Sequence, residues 1–516
     1  MLTGMHAAQA GPYPWHQKLP RLGSEEEFAA LRALLEACGY SEDGICRRVK
    51  VDDLAKYKSA PASEPIGRTL EQPVDAMIRL FFDCVYVGED ELARLLPEGG
   101  LGMLEALGLL AQDAETPGLR FATVAILPIG RDLTVCDRGN GPDGKKCTLP
   151  PDVVYPAIFE NTREFVERLP ATRCEALLDI GTGTGIAAMR GARYAGHVWA
   201  TDISARCTLF AEFNRRLAGL KNMTVVEGDM YAPVEGLTFD RIVTHPPYVP
   251  ARQTALIFRD GGEDGEQIMR RAVEGLPRFL RPGGTFYALL MATDREGEEF
   301  EQRLRRWLGA EEDLFDVVVV SDWLRTPAEL LAQKPAGAGA ESPEERSFRK
   351  AVWEATKTQY IFYGWVLIRR HEGGRPAASG RAQAGKGFTG RAMEWLLEWE
   401  SAVCAPGGVA MLLGSRPAIS PGCELRIVHR VREGRFAGEE FTLETARPFD
   451  STVQCEGWLA QMVSGCNGVK TWRQHFAEAE EAGMVAPGGT AEDFAQVLRS
   501  LVSAGILRLA EWPVPE

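Results

Sequence analysis

Residues 177–185 read Leu-Leu-Asp-Ile-Gly-Thr-Gly-Thr-Gly. An apolar run that ends on an acid and turns at once through three glycines is compatible with few folds. Ala176–Leu178 is short and wholly apolar, as suits a strand buried on both faces of a parallel sheet. Gly181, Gly183 and Gly185 permit a sharp turn and remove each Cβ that would keep a ligand off the backbone. A helix is predicted from about Ile186 to Tyr194. Open α/β sheets bind ligands at the carboxyl ends of their strands, and this turn lies at such an end.

Three further strands are predicted downstream. Val198–Asp202 ends in an acid about twenty residues after the turn, the place of a ribose-binding carboxylate. Met223–Gly228 is followed by Asp229 and Met230. Asp240–Thr244 runs into His245-Pro246-Pro247-Tyr248. The turn is spaced GxGxG rather than the GxGxxG of dinucleotide folds, and a nicotinamide site has no use for a Pro-Pro-aromatic loop here. Prolines fix φ and remove backbone donors, so the carbonyls are left to face a substrate. Neutral His245 offers one acceptor and one donor nitrogen. Its ordinary pKa of about 6.5 also makes it a candidate proton acceptor. Tyr248 offers a flat face for stacking.

In order along the chain stand Asp179–Gly185, Asp202, His245–Tyr248, Asp260-Gly-Gly-Glu-Asp-Gly265 and Pro282-Gly-Gly284. Over residues 153–304 this series resembles the class I methyltransferases, most of all the peptide-chain release factor glutamine methyltransferases. That family's pattern is a D-x-G-T-G-S-G turn, an acid closing the second strand, an N-P-P-Y loop, a D-G-G-x-D-G segment before a helix, and a P-G-G turn. The resemblance implies an α/β, Rossmann-like sheet, S-adenosyl-L-methionine as cofactor, and methyl transfer to nitrogen. It implies that Asp179 orients the methionine amino group. Asp202, with Ile203 beside it, accepts from the ribose hydroxyls. Asp229, beside Met230, accepts from the adenine amino group. Gly181, Thr182, Gly183 and Gly185 form the cofactor turn. His245, Pro246, Pro247 and Tyr248 form the acceptor loop, with His245 also at the cofactor. The chain departs from the family where His245 replaces Asn, which opens acceptors other than a glutamine amide. Val153–Thr162 is loosely similar to the family's lid but lacks its arginine.

With 516 residues, two to four domains are expected. We read 1–22 as a flexible N-terminus and 23–150 as a helical, winged-helix-like accessory domain. Residues 151–370 are the methyltransferase domain, 371–390 a Gly/Ala/Arg-rich linker, and 391–516 an α+β, winged-helix-like domain. Lys334–Pro343 is expected to be a flexible insert, and Val409–Leu413 a strand. A formal net charge of −14 disfavours a broad grip on nucleic acid. A protein or peptide side chain, or an amine-bearing small molecule, is therefore the expected acceptor. A nucleobase amino group is the alternative, and a catalytically decayed cofactor-binding scaffold is a third reading. A homodimer through the C-terminal domain is a further expectation. The 11 cysteines form no CxxC pair, so no metal site is expected and reduced thiols in the cytoplasm are. No apolar run has the length of a membrane span.

Overall fold

The computed structural model describes residues 17–57, 70–145, 147–333 and 342–514. Most of the expected flexible N-terminus and most of the 334–343 insert lie outside the described residues. The chain forms two compact units, one of residues 1–166, 172–272 and 331–355, the other of 167–171, 273–330 and 356–516.

In the first unit, helix α1 (Glu160–Arg168) leads into four parallel strands: β1 (Cys174–Ile180), β2 (Ala195–Asp202), β3 (Met223–Glu227) and β4 (Phe239–Thr244). Their spatial order is β4-β1-β2-β3. Leu177, Leu178, Val198, Ile242 and Val243 are wholly buried, as parallel strands covered on both faces must be. Ile180 lies opposite both Thr201 and Thr244. Register alone therefore delivers the glycine turn, Asp202 and His245 to one edge of the sheet. Helices α2 (Ile186–Gly191) and α3 (Ala205–Leu217) follow the first two strands.

The segment before α1 shares a hydrophobic core with α3. Phe28, Leu31 and Leu35 from the helix Glu25–Ala37 are packed in one cluster with Phe210, Phe213 and Leu217. The Phe28 ring meets Phe213 edge-on at 4.8 Å between centroids. That helix starts as expected at Ser24, whose hydroxyl and Glu27 form a reciprocal capping box. A β-hairpin pairs Ala125–Ile129 with Asp132–Cys136. Fully buried Asn214 joins it to the cofactor half. The Asn214 amide donates to the carbonyls of Val135 (3.0 Å) and Thr184 (2.9 Å), and accepts from the Val135 N–H (2.7 Å).

The second unit holds β5 (Leu280–Arg295), β6 (Phe315–Arg325), β7 (Thr358–Arg370) and β8 (Ser379–Gln383) in the order β8-β6-β7-β5. The β5–β7 and β7–β6 pairs are antiparallel, and β8 joins β6 in parallel. Beyond them lie the helices Gly390–Val403, Gly408–Gly414, Trp472–Glu481 and Ala491–Ser503, with a three-stranded antiparallel sheet over 424–455. Among the described residues no single helix is long and apolar enough to cross a membrane.

Two local expectations need correction. The 371–390 stretch is not a plain linker, because β8 lies inside it. Its Ser-Gly-Arg-Ala-Gln sequence has no apolar alternation; the backbone ladder to β6 and the Arg381 ion pairs with Asp294 and Glu301 hold it. Val409–Leu413 is helical rather than extended, a short apolar run being ambiguous by pattern alone. The helix that follows Asp260–Gly265 is two pieces, Gln267–Glu274 and Leu276–Phe279, broken at Gly275 with Pro277 just beyond. In the first unit the helix Gly100–Ala106 gives way to the strand Leu110–Gln112.

Candidate active site

The glycine turn is tied to the end of β2. The N–H groups of Gly181 and Thr182 both donate to the Thr201 carbonyl, at 2.8 and 3.0 Å. Gly181, Gly183 and Gly185 take φ of +70°, +56° and +83°, a region closed to most side chains. Asp202, 7% exposed, accepts from the N–H of Gly183 (2.9 Å) and of Ser204 (3.0 Å). Burial raises its pKa. Asp179 accepts from the Thr182 hydroxyl (2.6 Å) and the Ala188 N–H (3.2 Å). Burial pushes the Asp179 carboxyl up to about 6. Ile203, beside Asp202, is a large apolar side chain left 56% exposed.

The tetrapeptide begins where β4 ends. The Thr244 hydroxyl donates to the Ile180 carbonyl at 2.9 Å, so His245 emerges next to the glycine turn. The His245 ring is partly buried, with the Phe165 ring of α1 at 5.3 Å and the Tyr248 ring at 6.2 Å, tilted from it by 28°. Burial pushes the imidazole down to about 4, so it is neutral near pH 7. Tyr248 is buried, and burial pushes its phenol up. Pro246 is buried and Pro247 partly so.

The Asp260–Gly265 segment lies directly on this loop. Val249 N–H donates to the Arg259 carbonyl (3.0 Å), and Gly261 N–H donates back to the Val249 carbonyl (2.9 Å). A Cβ at Gly261 would stand 2.7 Å from the Pro247 oxygen, and one at Gly265 2.5 Å from the Tyr248 oxygen. Buried Asp260 accepts from the N–H groups of Ala255 (2.7 Å) and Leu256 (2.9 Å), which folds the next turn back. The D-G-G-x-D-G motif thus braces the acceptor loop by close backbone approach.

Residues outside the motifs complete this wall. Leu256 packs with Phe121, Cys147, Leu149 and Val153, with Phe258 against the same cluster. Tyr155 stacks on Phe258 at 4.6 Å and meets Phe159 at 4.9 Å. The segment before α1 therefore supports the acceptor loop. Phe165 and Phe258 escaped the sequence reading, and Tyr155 entered it only within the lid-like Val153–Thr162 segment. The one available signal was the aromatic density of 155–165, which does not say what it packs on. Asp229 differs from the other two acids in its exposure. Its half-exposed carboxylate is ion-paired with Arg271 at 2.7 Å. Met230 takes a left-handed φ of +53°, with its carbonyl accepting from the Thr201 hydroxyl at 3.3 Å.

The family model for the methyltransferase small domain matches residues 157–312. Release factor glutamine methyltransferase of Moorella thermoacetica is 36% identical over 143 residues, 25% of this chain and 50% of the relative. A putative protein N5-glutamine methyltransferase of Methanocaldococcus jannaschii is 31% identical over 163 residues, 30% of this chain and 81% of the relative. Ribosomal protein uL3 glutamine methyltransferase of Bradyrhizobium diazoefficiens is 33% identical over 156 residues, 27% of this chain and 49% of the relative. Against the first and third of these the chain spans about half the relative's length. The matched segment carries the glycine turn, the acid of β2 and the tetrapeptide, all at one sheet edge. The chain belongs to the class I S-adenosylmethionine-dependent methyltransferases, in the family of the release factor glutamine methyltransferases.

Proposed function

We propose that this chain transfers a methyl group from S-adenosylmethionine to a side-chain amide nitrogen of a protein acceptor. The residues present fit that cofactor. A Cβ at Gly181 or Gly183 meets no atom within 4 Å, so the turn faces open space. Asp202 would hold the ribose hydroxyls, Asp179 the amino group, and exposed Ile203 an apolar face of the adenosine. When bound, the cofactor supplies an electrophilic methyl group on sulfur. The chain's own task is to present a nitrogen to it.

The observation that carries the amide reading is the placement of His245 beside the glycine turn, its ring packed at 5.3 Å from Phe165 and its pKa pushed down by burial. A protonated amine must lose a proton before it can attack, and an imidazole held near 4 is a poor base for that. An amide nitrogen carries no such proton before attack; the N–H proton it sheds once the carbon–sulfur bond has broken and the carbon–nitrogen bond has formed comes from a strongly acidic N-protonated amide and passes to water, with the neutral thioether as leaving group. It needs its N–H groups accepted and its plane held, and alignment of this kind supplies much of a rate enhancement. Neutral His245 can accept one N–H, and the proline-bearing backbone offers carbonyls for another. The named acceptors of the relatives, a release factor and a ribosomal protein, are glutamine-bearing proteins.

Tritium-labelled cofactor, added with the purified chain to a cell extract, tests this. Label is expected in protease-sensitive, nuclease-resistant material, and acid hydrolysis is expected to release it as methylamine, as an N-methyl amide must. Label in RNA, or in an acid-stable methylated amine, would overturn the reading. His245→Asn is expected to leave the shape of the pH–rate profile unchanged between about pH 5.5 and 8. Wild-type His245 takes up its proton only as pH falls toward about 4. An acid limb near pH 6.5 that vanishes in the variant would make His245 the base after all.

A further inference from the structure

Beyond the tetrapeptide the chain stays at the surface. Arg252, Gln253, Thr254 and Ala255 form an exposed turn. It is tied down at both ends. The Ala251 N–H donates to the Gly262 carbonyl (2.9 Å), and the N–H groups of Ala255 and Leu256 donate to Asp260 (2.7 and 2.9 Å). Arg252 follows Tyr248 closely enough that their Cα atoms lie at most about 14 Å apart.

A helix from far along the sequence lies against this turn. β6 and β7 are antiparallel neighbours, which a two-residue hairpin could join, yet the chain between them runs from Arg325 to Thr358. Within that stretch, helix α4 (Pro343–Ala355) belongs to the first unit. Ser342 and Glu345 cap it reciprocally: the Glu345 N–H donates to the Ser342 hydroxyl (3.1 Å), and the Ser342 N–H to the Glu345 carboxylate (2.9 Å). The other Glu345 oxygen accepts from Arg259 at 2.6 Å, and Arg259 also donates to Asp260 at 2.8 Å. α4 is therefore fixed to the same carboxylate that folds the turn.

One turn along α4, the Phe348 ring lies beneath the Arg252 guanidinium, whose carbon is 4.9 Å from the ring centroid. Neighbouring cations are already engaged, Arg259 with Asp260 and Glu345, Arg270 with Asp264 at 3.0 Å. Arg252 makes no hydrogen bond or ion pair among the described residues. A ring under the guanidinium plane fixes its tilt and leaves its N–H edge unused. That edge is a planar fork that fits a carboxylate with two parallel hydrogen bonds.

We propose that Arg252, seated on Phe348 of α4, binds a carboxylate of the acceptor protein that flanks the methylated residue. This rests on the proposed transfer to a protein side chain. The insert between β6 and β7 then helps to set which acceptor is taken, and the cofactor turn is untouched by it. A nucleic-acid phosphate would suit the same fork, but the net charge of −14 opposes a polyanion, whereas one carboxylate needs only this local cation.

The test uses the purified full chain, tritiated cofactor and the protein fraction that takes up label, diluted in series so that KM is read as a ratio. Arg252→Ala is expected to raise KM for the acceptor about tenfold or more, with kcat and calorimetric cofactor affinity within about twofold of wild type. Arg252→Glu is expected to raise KM at least about fivefold beyond Arg252→Ala, because it sets one carboxylate against another. Phe348→Ala keeps the charge but removes its seat, and its KM is expected between those of wild type and Arg252→Ala. If label enters protein and Arg252→Glu binds acceptor no worse than Arg252→Ala, or Phe348→Ala keeps the wild-type KM, this inference falls and the amide reading stands. If label enters RNA, small molecules or nothing, the amide reading falls and takes the inference with it.

Discussion

Asp202→Ala is expected to weaken S-adenosylmethionine binding by at least about a hundredfold, measured by calorimetry on the purified chain. The carboxylate is 7% exposed and already accepts from two backbone N–H groups, those of Gly183 and Ser204. It shapes the glycine turn as well as waiting for a ribose. Hydrogen bonds to a charged group contribute about 1.5–3 kcal/mol each, and a buried donor left without a partner costs about 1–3 kcal/mol. Losing two ribose contacts alone amounts to roughly 3–4 kcal/mol at the lower end of that range, or two to three decades in the dissociation constant. The orphaned Gly183 N–H adds to the loss by loosening the turn. Asp202→Asn keeps one acceptor oxygen and is expected to fall between wild type and alanine. A melting curve separates loss of binding from loss of fold. Undiminished affinity in a folded Asp202→Ala protein would mean that the acid closing β2 is not the ribose ligand.

What was legible in the chain follows from how local each feature is. The glycine turn and the strands around it could be read because their signals are contiguous: apolar runs, an acid at a strand end, positive-φ glycines. Each of β1–β4 lies within about three residues of its expected start. The order of the acids along the chain foretold which edge they would share, since parallel strands deliver their carboxyl ends together. The readings that failed depended on partners distant in sequence. β8 is a strand because β6 offers it a ladder and because Arg381 finds two acids, neither of which its own five residues reveal. The ion pair of Asp229 with Arg271 was equally hidden, because its partner lies 42 residues on. Phe165 precedes His245 by 80 residues, and its ring meets the imidazole only because α1 lies against the loop. His245 was legible as a departure, but its protonation state was not. Burial decides that, and burial is a property of the packed site.

Gly261→Ala is expected to lower kcat about a hundredfold or more while cofactor affinity stays within a few-fold of wild type. The added Cβ would stand 2.6 Å from the Gly265 oxygen, 2.7 Å from the Pro247 oxygen and 2.9 Å from the Tyr248 Cα. All three neighbours are backbone, so no side chain can rotate aside. Two hydrogen bonds oppose any sliding: Gly261 N–H to the Val249 carbonyl (2.9 Å), and Gln267 N–H to the Gly261 carbonyl (3.0 Å). The methyl group must therefore push the tetrapeptide itself, by several tenths of an ångström to about an ångström. A misplacement of that size is worth about a hundredfold when catalysis rests on alignment. The cofactor side is spared, because Asp179, the glycine turn and Asp202 are held by β1 and β2 and make none of these contacts. Gly118→Ala is the control, since a Cβ there meets no atom within 4 Å. Stopped-turnover label transfer and calorimetry on the three proteins separate the two halves of the site. Should Gly261→Ala turn over like wild type, the acceptor loop is not what aligns the nitrogen. Should it lose cofactor affinity in proportion to rate, the D-G-G-x-D-G segment braces the whole pocket rather than the acceptor side alone.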